Sequence, residues 1–293
     1  MIDFFRYRFA TLFFSVLVFA GAIGAYIHKR QTRGQAFKYS IDFTGGTQVL
    51  LGFQNEVSVT NLKDALEKGG WGNATVREFS KKEFLIRVQE FSKEAQGLGV
   101  RIKEVLQKNM PGNTITIREV EGVGPGVGGV LRYNSLMGLL IALALMLLYI
   151  GWRFGSFAFA TGAVVALFHD AFIMLAVFLI FDREISVNLV AAIVMVLGYS
   201  INDTIVIFSR IRDNLKTMKG VPLKDIVNMS LNQTLRRTIL TSISTALVVL
   251  SIFIFGGEAL NDFAFALLIG IIFGTYSSIY IASPVMMLLY GEQ

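Results

Sequence analysis

Six long apolar runs constrain this chain more than any other feature: residues 10 to 27, 134 to 151, 157 to 181, 185 to 208, 239 to 256 and 263 to 289. Each is long enough to cross a hydrocarbon layer of about 30 Å as a helix rising about 1.5 Å per residue. Lipid offers a backbone no hydrogen-bond partners, so such runs predict helices that pair internally. Of the 293 residues 54% are apolar and 16% charged, with a mean hydropathy of +0.58. The reading is an α-helical polytopic membrane protein with one soluble block, residues 28 to 133. No stretch remains for a nucleotide-hydrolysing domain, so any work draws on another energy source. Cysteine is absent and the histidines are His28 and His169, which argues against disulfides, iron-sulfur clusters and zinc sites. No metal or cofactor is expected.

Charge gives the expected orientation. Arg6 and Arg8, Arg153, and an expected loop over residues 209 to 238 with Arg210, Arg212, Lys216, Lys219, Lys224, Arg236 and Arg237 belong to one side, against Arg183 in the short loops of the other. The positive-inside rule then places both termini in the cytoplasm and residues 28 to 133 outside. This distribution explains the net charge of +6 without nucleic acid. Ala20-Gly21-Ala22 imitates a leader-cleavage site, but the first run is long for a leader and is expected to remain as a span.

Within the outer block, strands are expected over residues 47 to 53, 74 to 79, 84 to 90 and 114 to 120, with helices over 60 to 68 and 93 to 108. The order β-α-β-β-α-β is that of a ferredoxin-like α+β domain inserted between the first and second spans. Glycine-rich residues 122 to 129 follow. Gly124-Pro125-Gly126-Val127-Gly128-Gly129 fits a dinucleotide fingerprint formally, but it opens a hydrophobic span and Pro125 removes a backbone donor. A flexible joint that lets the outer block swing is the better reading.

The spans contain three ionisable groups that matter near neutral pH: His169, Asp170 and Asp203. Charge in hydrocarbon costs about 2.5–3.5 kcal/mol on insertion scales, so these groups are expected to face the bundle interior, a partner or water. In the fourth span Tyr199 and Asn202 are expected to donate to Asp203 or to water beside it. Arg237 opens the fifth span at similar depth, bordered by a threonine stripe that includes Thr241. Burial and an approaching guanidinium push ionisation of Asp203 in opposite directions, so relative helix motion would load and unload a proton. A permanent Asp203–Arg237 ion pair that only fixes register is the alternative. For His169-Asp170, a buried pair satisfied by its neighbours and a relay stand equally.

Six motifs in order then resemble the SecF family: residues 41 to 47 (Ile-Asp-Phe-Thr-Gly-Gly-Thr, with Asp42, Gly45 and Gly46), 123 to 125 (Val-Gly-Pro), 166 to 170 (Ala-Leu-Phe-His-Asp), 198 to 204 (Gly-Tyr-Ser-Ile-Asn-Asp-Thr), 210 to 214 (Arg-Ile-Arg-Asp-Asn) and 233 to 238 (Gln-Thr-Leu-Arg-Arg-Thr). That family is the smaller half of the SecDF accessory complex of the bacterial Sec translocon, within the resistance-nodulation-division superfamily. The resemblance implies a subunit without a hydrolytic site that works with SecD, the SecYEG channel and SecA on a translocating unfolded polypeptide, driven by protons. It carries the essential intramembrane aspartate onto Asp203 and its partner arginine onto Arg237. Ser209 stands where the family usually has an acidic residue. No SecD half is fused, so a separate SecD is expected, along with membrane lipids. A passive scaffold subunit and half of a small-molecule or lipid exporter are the competing readings. An aspartyl-protease reading of Asp170 and Asp203 lacks the Gly-x-Gly-Asp signature.

Overall fold

A computed structural model describes residues 2–92 and 94–291. The chain divides into two compact units, Tyr39–Ser135 and the remainder, Met1–Lys38 with Leu136–Gln293.

In the smaller unit, α2 (Ile41–Thr44) leads into β2 (Gly46–Phe53), followed by α3 (Val59–Lys68), β3 (Thr75–Ser80), β4 (Glu83–Val88), α4 (Ala95–Asn109) and β5 (Ile115–Val123); a two-residue strand, β1 (Lys38–Tyr39), precedes them. The four longer strands form one antiparallel sheet in the order β3-β4-β2-β5. Period-2 alternation turns Val49, Leu51 and Phe53 of β2 and Phe84, Ile86 and Val88 of β4 to one face, where they meet Leu62 and Leu66 of α3 and Leu98, Ile102 and Leu106 of α4. Ser58 caps α3 by accepting from the Asn61 N–H. The expected strand and helix positions agree to within a few residues, and Lys93, the expected start of α4, lies outside the described residues.

In the glycine-rich residues 122 to 129, β5 continues to Val123 and α5 (Pro125–Phe154) begins two residues later, with Gly124 between them. A proline at the first helical position forfeits no intrahelical bond, so the segment enters the helix directly.

Among the described residues six helices are long and apolar enough to cross a membrane. They are α1 (Arg8–Arg33), α5, α6 (Phe157–Ile180), α7 (Val187–Thr217), α8 (Leu223–Phe255) and a sixth made of α9 (Gly257–Ser277), a π-helical turn (Ser278–Ala282) and α10 (Ser283–Tyr290). A short strand, β6 (Glu184–Ile185), lies between α6 and α7. Pro284 lacks the N–H that would continue the ladder, and the wide turn accommodates the loss. The basic segment 209 to 238, expected as a loop, is instead helical on both sides of a turn at 218 to 222. Hydropathy marks where lipid ends, not where the helix ends, and Arg, Lys, Gln and Leu there are good helix formers. Asn214 ties the two extensions, donating to Ser230 Oγ (2.8 Å) and Gln233 Oε1 (3.0 Å).

The bundle core holds small side chains where helices cross. A Cβ on Gly162 of α6 would lie 2.7 Å from the Ala282 carbonyl oxygen and 2.9 Å from Met286 Cβ, so only glycine fits, whereas nothing lies within 4 Å of such an atom on Gly138. Gly162→Ala is expected to destabilise the protein by about 1–3 kcal/mol in thermal unfolding in detergent, with Gly138→Ala neutral or better.

At the end of α1 three cations converge on Asp182. Lys29 Nζ is 2.8 Å and Arg33 Nη1 2.9 Å from its carboxylate, and Lys38 also pairs with it. Burial pushes the Asp182 carboxyl up, but hydrogen bonds and charge from Lys29, Lys38 and Arg33 outweigh it and hold the group well below the usual carboxylate range. The folded value being the lower one, this stabilisation is complete above the unfolded value, about 3.9, and fades as pH falls through the folded one. Asp182→Asn should therefore melt below wild type at pH 7, with the gap closing below about pH 4. A gap that persists to the lowest pH would refute the clamp.

Candidate functional site: polar groups in the helical bundle

Two polar constellations lie inside the bundle. The first surrounds Asp170 on α6, which is fully buried. Its Oδ2 accepts from Ser200 Oγ of α7 (2.6 Å) and Ser277 Oγ of α9 (2.8 Å), while Oδ1 lies 3.3 Å from His169 Nδ1. His169 Nε2 is 3.0 Å from Ser15 Oγ of α1, Ser15 Oγ is 2.9 Å from the Tyr276 hydroxyl, and that hydroxyl donates to the Thr11 carbonyl at 2.6 Å. Proton counting along this line fixes the donors. Tyr276 spends its hydrogen on Thr11, so Ser15 donates to Tyr276 and His169 Nε2–H donates to Ser15. Nδ1 then needs either a second imidazole proton or a protonated Asp170. In both cases the His169-Asp170 pair is net neutral, as a buried pair without a further cation must be.

The second constellation surrounds Asp203 on α7. This side chain is 3% exposed, and its Oδ2 is buried without a hydrogen-bond partner, as is Thr238 Oγ1 on α8. Two polar side chains of the facing helix α8 act on Asp203, Arg237 through its charge and Ser242 through its hydroxyl. Among the described residues no ion pair within 4.0 Å joins Asp203 to Arg237, so the permanent pair is not formed in this conformation. Arg237 instead lines a polar cavity of about 330 Å³ between α7 and α8, with Ser209, Arg210, Asp213, Gln233 and Thr234. Further along the same two helices an apolar cavity of about 270 Å³ is lined by Met195, Tyr199, Thr245, Val249 and Leu267. Between them Tyr199 donates to Ser242 Oγ at 3.4 Å, and Ser242 Oγ lies 2.6 Å from Thr275 Oγ1 of α9.

The expected supporting residues separate. Tyr199 serves Ser242 rather than Asp203, Asn202 is exposed because one helical step turns it about 100° from its neighbour, and Thr241 returns its hydrogen to the Arg237 and Thr238 carbonyls. Ser200, Ser242, Ser277 and Ser15, which complete both constellations, carry no sequence signal beyond being hydroxyls in apolar spans. The two carboxylates engage different partners.

The glycine motifs meet in the smaller unit. Gly45 (φ 74°) and Gly46 (φ 120°) occupy backbone space that other residues avoid, and a Cβ on Gly46 would meet the Val88 carbonyl at 2.5 Å. Gly46 pairs with Val123, and a Cβ on Gly128 would lie 3.0 Å from the Phe43 backbone, so residues 41 to 46 and 123 to 128 form one junction. Ser40 Oγ donates to Asp42 Oδ2 there at 2.9 Å.

Residues 102–292 match the family model described as "Protein export membrane protein SecD/SecF, C-terminal", and residues 34–57 match the "SecD/SecF GG Motif". The chain belongs to the SecD/SecF family. It is 38% identical over 290 residues to the protein translocase subunit SecF of Vibrio alginolyticus, covering 98% of this chain and 90% of that one. With SecF of Thermodesulfovibrio yellowstonii it shares 39% over 252 residues, 85% of this chain and 82% of the other. A crystal structure of SecDF, a translocon-associated membrane protein from Thermus thermophilus, superposes with a TM-score of 0.87 at 34% identity over 100% of this chain. Our chain spans 39% of that SecDF chain. A SecDF structure in a super-membrane-facing form gives 0.67 at 36% identity, over 97% of this chain and 38% of that one. Family membership and the six apolar helices make this a multi-pass membrane protein.

The Asp170 network is testable by removing its donors. Ser200→Ala and Ser277→Ala should each cost about 1–3 kcal/mol of stability and the double variant more than either, because Oδ2 then has no donor. Ser244→Ala, at an exposed hydroxyl that only back-bonds to Leu240, should change nothing.

Proposed function

We propose that this protein is a SecF-type translocase subunit that works with a separate SecD-type partner and couples proton transfer at Asp203 to movement of its outer unit during late-stage polypeptide export. SecYEG, SecA and the translocating chain are the further partners of this reading. The SecF names of relatives matched over most of their length support the role. In this reading both termini are cytoplasmic and the smaller unit is a ferredoxin-like domain outside the membrane, consistent with its strand order and with the basic residues near the α7–α8 turn.

One observation carries the coupling: the buried, unpartnered Oδ2 of Asp203, with Arg237 close enough to act on it and not paired to it. A proton on Asp203 and an approaching Arg237 guanidinium are interchangeable ways to satisfy that oxygen, and exchanging one for the other requires α8 or its side chain to move against α7. The polar cavity beside Arg237 supplies water access from one side. Asp170 is fully hydrogen-bonded and is assigned the task of holding α1, α6, α7 and α9 in register.

Reconstitution with a SecD partner and an imposed proton gradient tests this. Asp203→Asn should abolish gradient-dependent stimulation of export while leaving the complex assembled, and Arg237→Lys should reduce it, because a point charge replaces a planar fork. Stimulation of export that persists in Asp203→Asn, or that needs no gradient in wild type, would leave only a scaffold role.

A further inference from the structure

The Asp182 clamp and an adjacent cavity have no part in the Asp203 machinery. Between α1 and α6 lies an open cavity of about 500 Å³ whose lining, including Phe19, Ala22, Ile23, Tyr26, Phe37 and Leu179, is almost wholly apolar. That volume is in the range of built ligand pockets, roughly 300–1,000 Å³. The cavity opens on the outer surface of the bundle, where Ile23 and Phe172 are more than half exposed, so its natural solvent is hydrocarbon.

One end of this cavity is cationic. Leu179, a lining residue, accepts through its carbonyl from Lys29 Nζ at 2.6 Å. Tyr26, another, accepts at its hydroxyl from Arg30 Nη1 at 3.0 Å and carries the Arg30 guanidinium over its ring. Phe37 precedes Lys38 in the chain. Lys29, Arg33 and Lys38 share the single carboxylate of Asp182, and Arg30 has no acidic partner among the described residues. The cavity mouth therefore holds an excess of positive charge at the level where α1 leaves its apolar stretch, with Arg30 and Arg33 exposed.

We infer that this groove is a binding site for an anionic phospholipid, with an acyl chain lying along Phe19, Ala22, Ile23 and Leu179 and the phosphate held by Arg30 and Arg33. Charge complementarity selects this occupant. A partner helix would bring apolar side chains to the groove and leave the cations uncompensated, whereas a phospholipid places a negative headgroup one helix end away from its own hydrocarbon. Arginine suits the phosphate because its fork binds oxygens in pairs, and Tyr26 presets the Arg30 guanidinium beside the cavity. Asp182 keeps Lys29 and Arg33 in place, and its charge is already spent on three cations. The inference stands independently of proton coupling at Asp203.

The test uses the purified full chain in mixed micelles with equimolar dioleoyl phosphatidylglycerol and dioleoyl phosphatidylcholine, whose acyl chains are identical. Lipid retained after detergent washing is counted by native mass spectrometry. Wild type should retain phosphatidylglycerol over phosphatidylcholine by at least about fivefold, a margin of roughly 1 kcal/mol. The double variant Arg30→Ala, Arg33→Ala should bring that ratio near one. Ala22→Phe, which fills the cavity, should lower retention of both lipids. Equal retention by wild type, or an unchanged ratio in the arginine variant, would overturn the site, and so would loss of all retained lipid on adding the SecD partner. The arginine variant and the wild-type competition need no core substitution, so misfolding of Ala22→Phe cannot decide the outcome.

Discussion

In hydrocarbon nothing outside the protein can satisfy a polar side chain, so each hydroxyl and carboxyl in the spans either finds a partner inside the bundle or goes without, at a cost of several kcal/mol for a charge. The Asp170 constellation meets this demand in full. Its donors come from α7 and α9, and through His169 and Ser15 it reaches α1, so four helices are held by one buried carboxyl. Asp203, one helical turn further along α7 than Ser200, does not meet it, since its Oδ2 has no donor. The same bundle thus satisfies one carboxyl thoroughly and leaves the other short, the difference on which the proposed coupling rests.

Packing around the two carboxyls differs in the same sense. Along the α7–α9 seam, a Cβ on Gly274 would touch Ser200 at 3.0 Å, and Thr204 Oγ1 lies 2.8 Å from Ser278 Oγ, which also donates to the Ser200 carbonyl at 3.3 Å. Small residues bring the backbones together there and hydroxyls lock them. The π-helical turn contributes by presenting Ser278 to α7 and letting Ser283 donate to the Ser278 carbonyl at 3.1 Å. The α7–α8 seam is looser, with a cavity on each side of the Tyr199–Ser242–Thr275 contacts. Under the proposed coupling, relative movement of α7 and α8 is the one these voids would accommodate.

Hydropathy located the spans because lipid imposes one rule on every residue it touches. The sheet of the smaller unit was equally readable, since alternation in residues 47 to 53 and 84 to 88 fixes which face is buried. Asp203 stood out because ionisable groups are rare in such runs, and Arg237 because it opens the fifth span at similar depth. What escaped the sequence depended on facing rather than composition. Ser200 and Ser242 are indistinguishable from other span hydroxyls until the helices are rotated against one another, and Asn202 looks like a partner of Asp203 until the 100° step between neighbours is counted. The helical extensions through Arg210 and Lys224 escaped for another reason: hydropathy reports the edge of the lipid, and a helix made of arginine, leucine and glutamine continues past it.

Under the proposed coupling, the energies are of matching size. A unit pair at 4 Å attracts by about 4 kcal/mol at an effective dielectric constant of 20, and one charge moved across the membrane releases roughly 2.3 kcal/mol per 100 mV. Arg237 travels with α8 and Asp203 with α7, so ionising Asp203 changes the attraction between those two helices while the Asp170 network holds α7 to α9 and α6. The proton's energy is then spent at the α7–α8 seam, whose cavities can absorb movement.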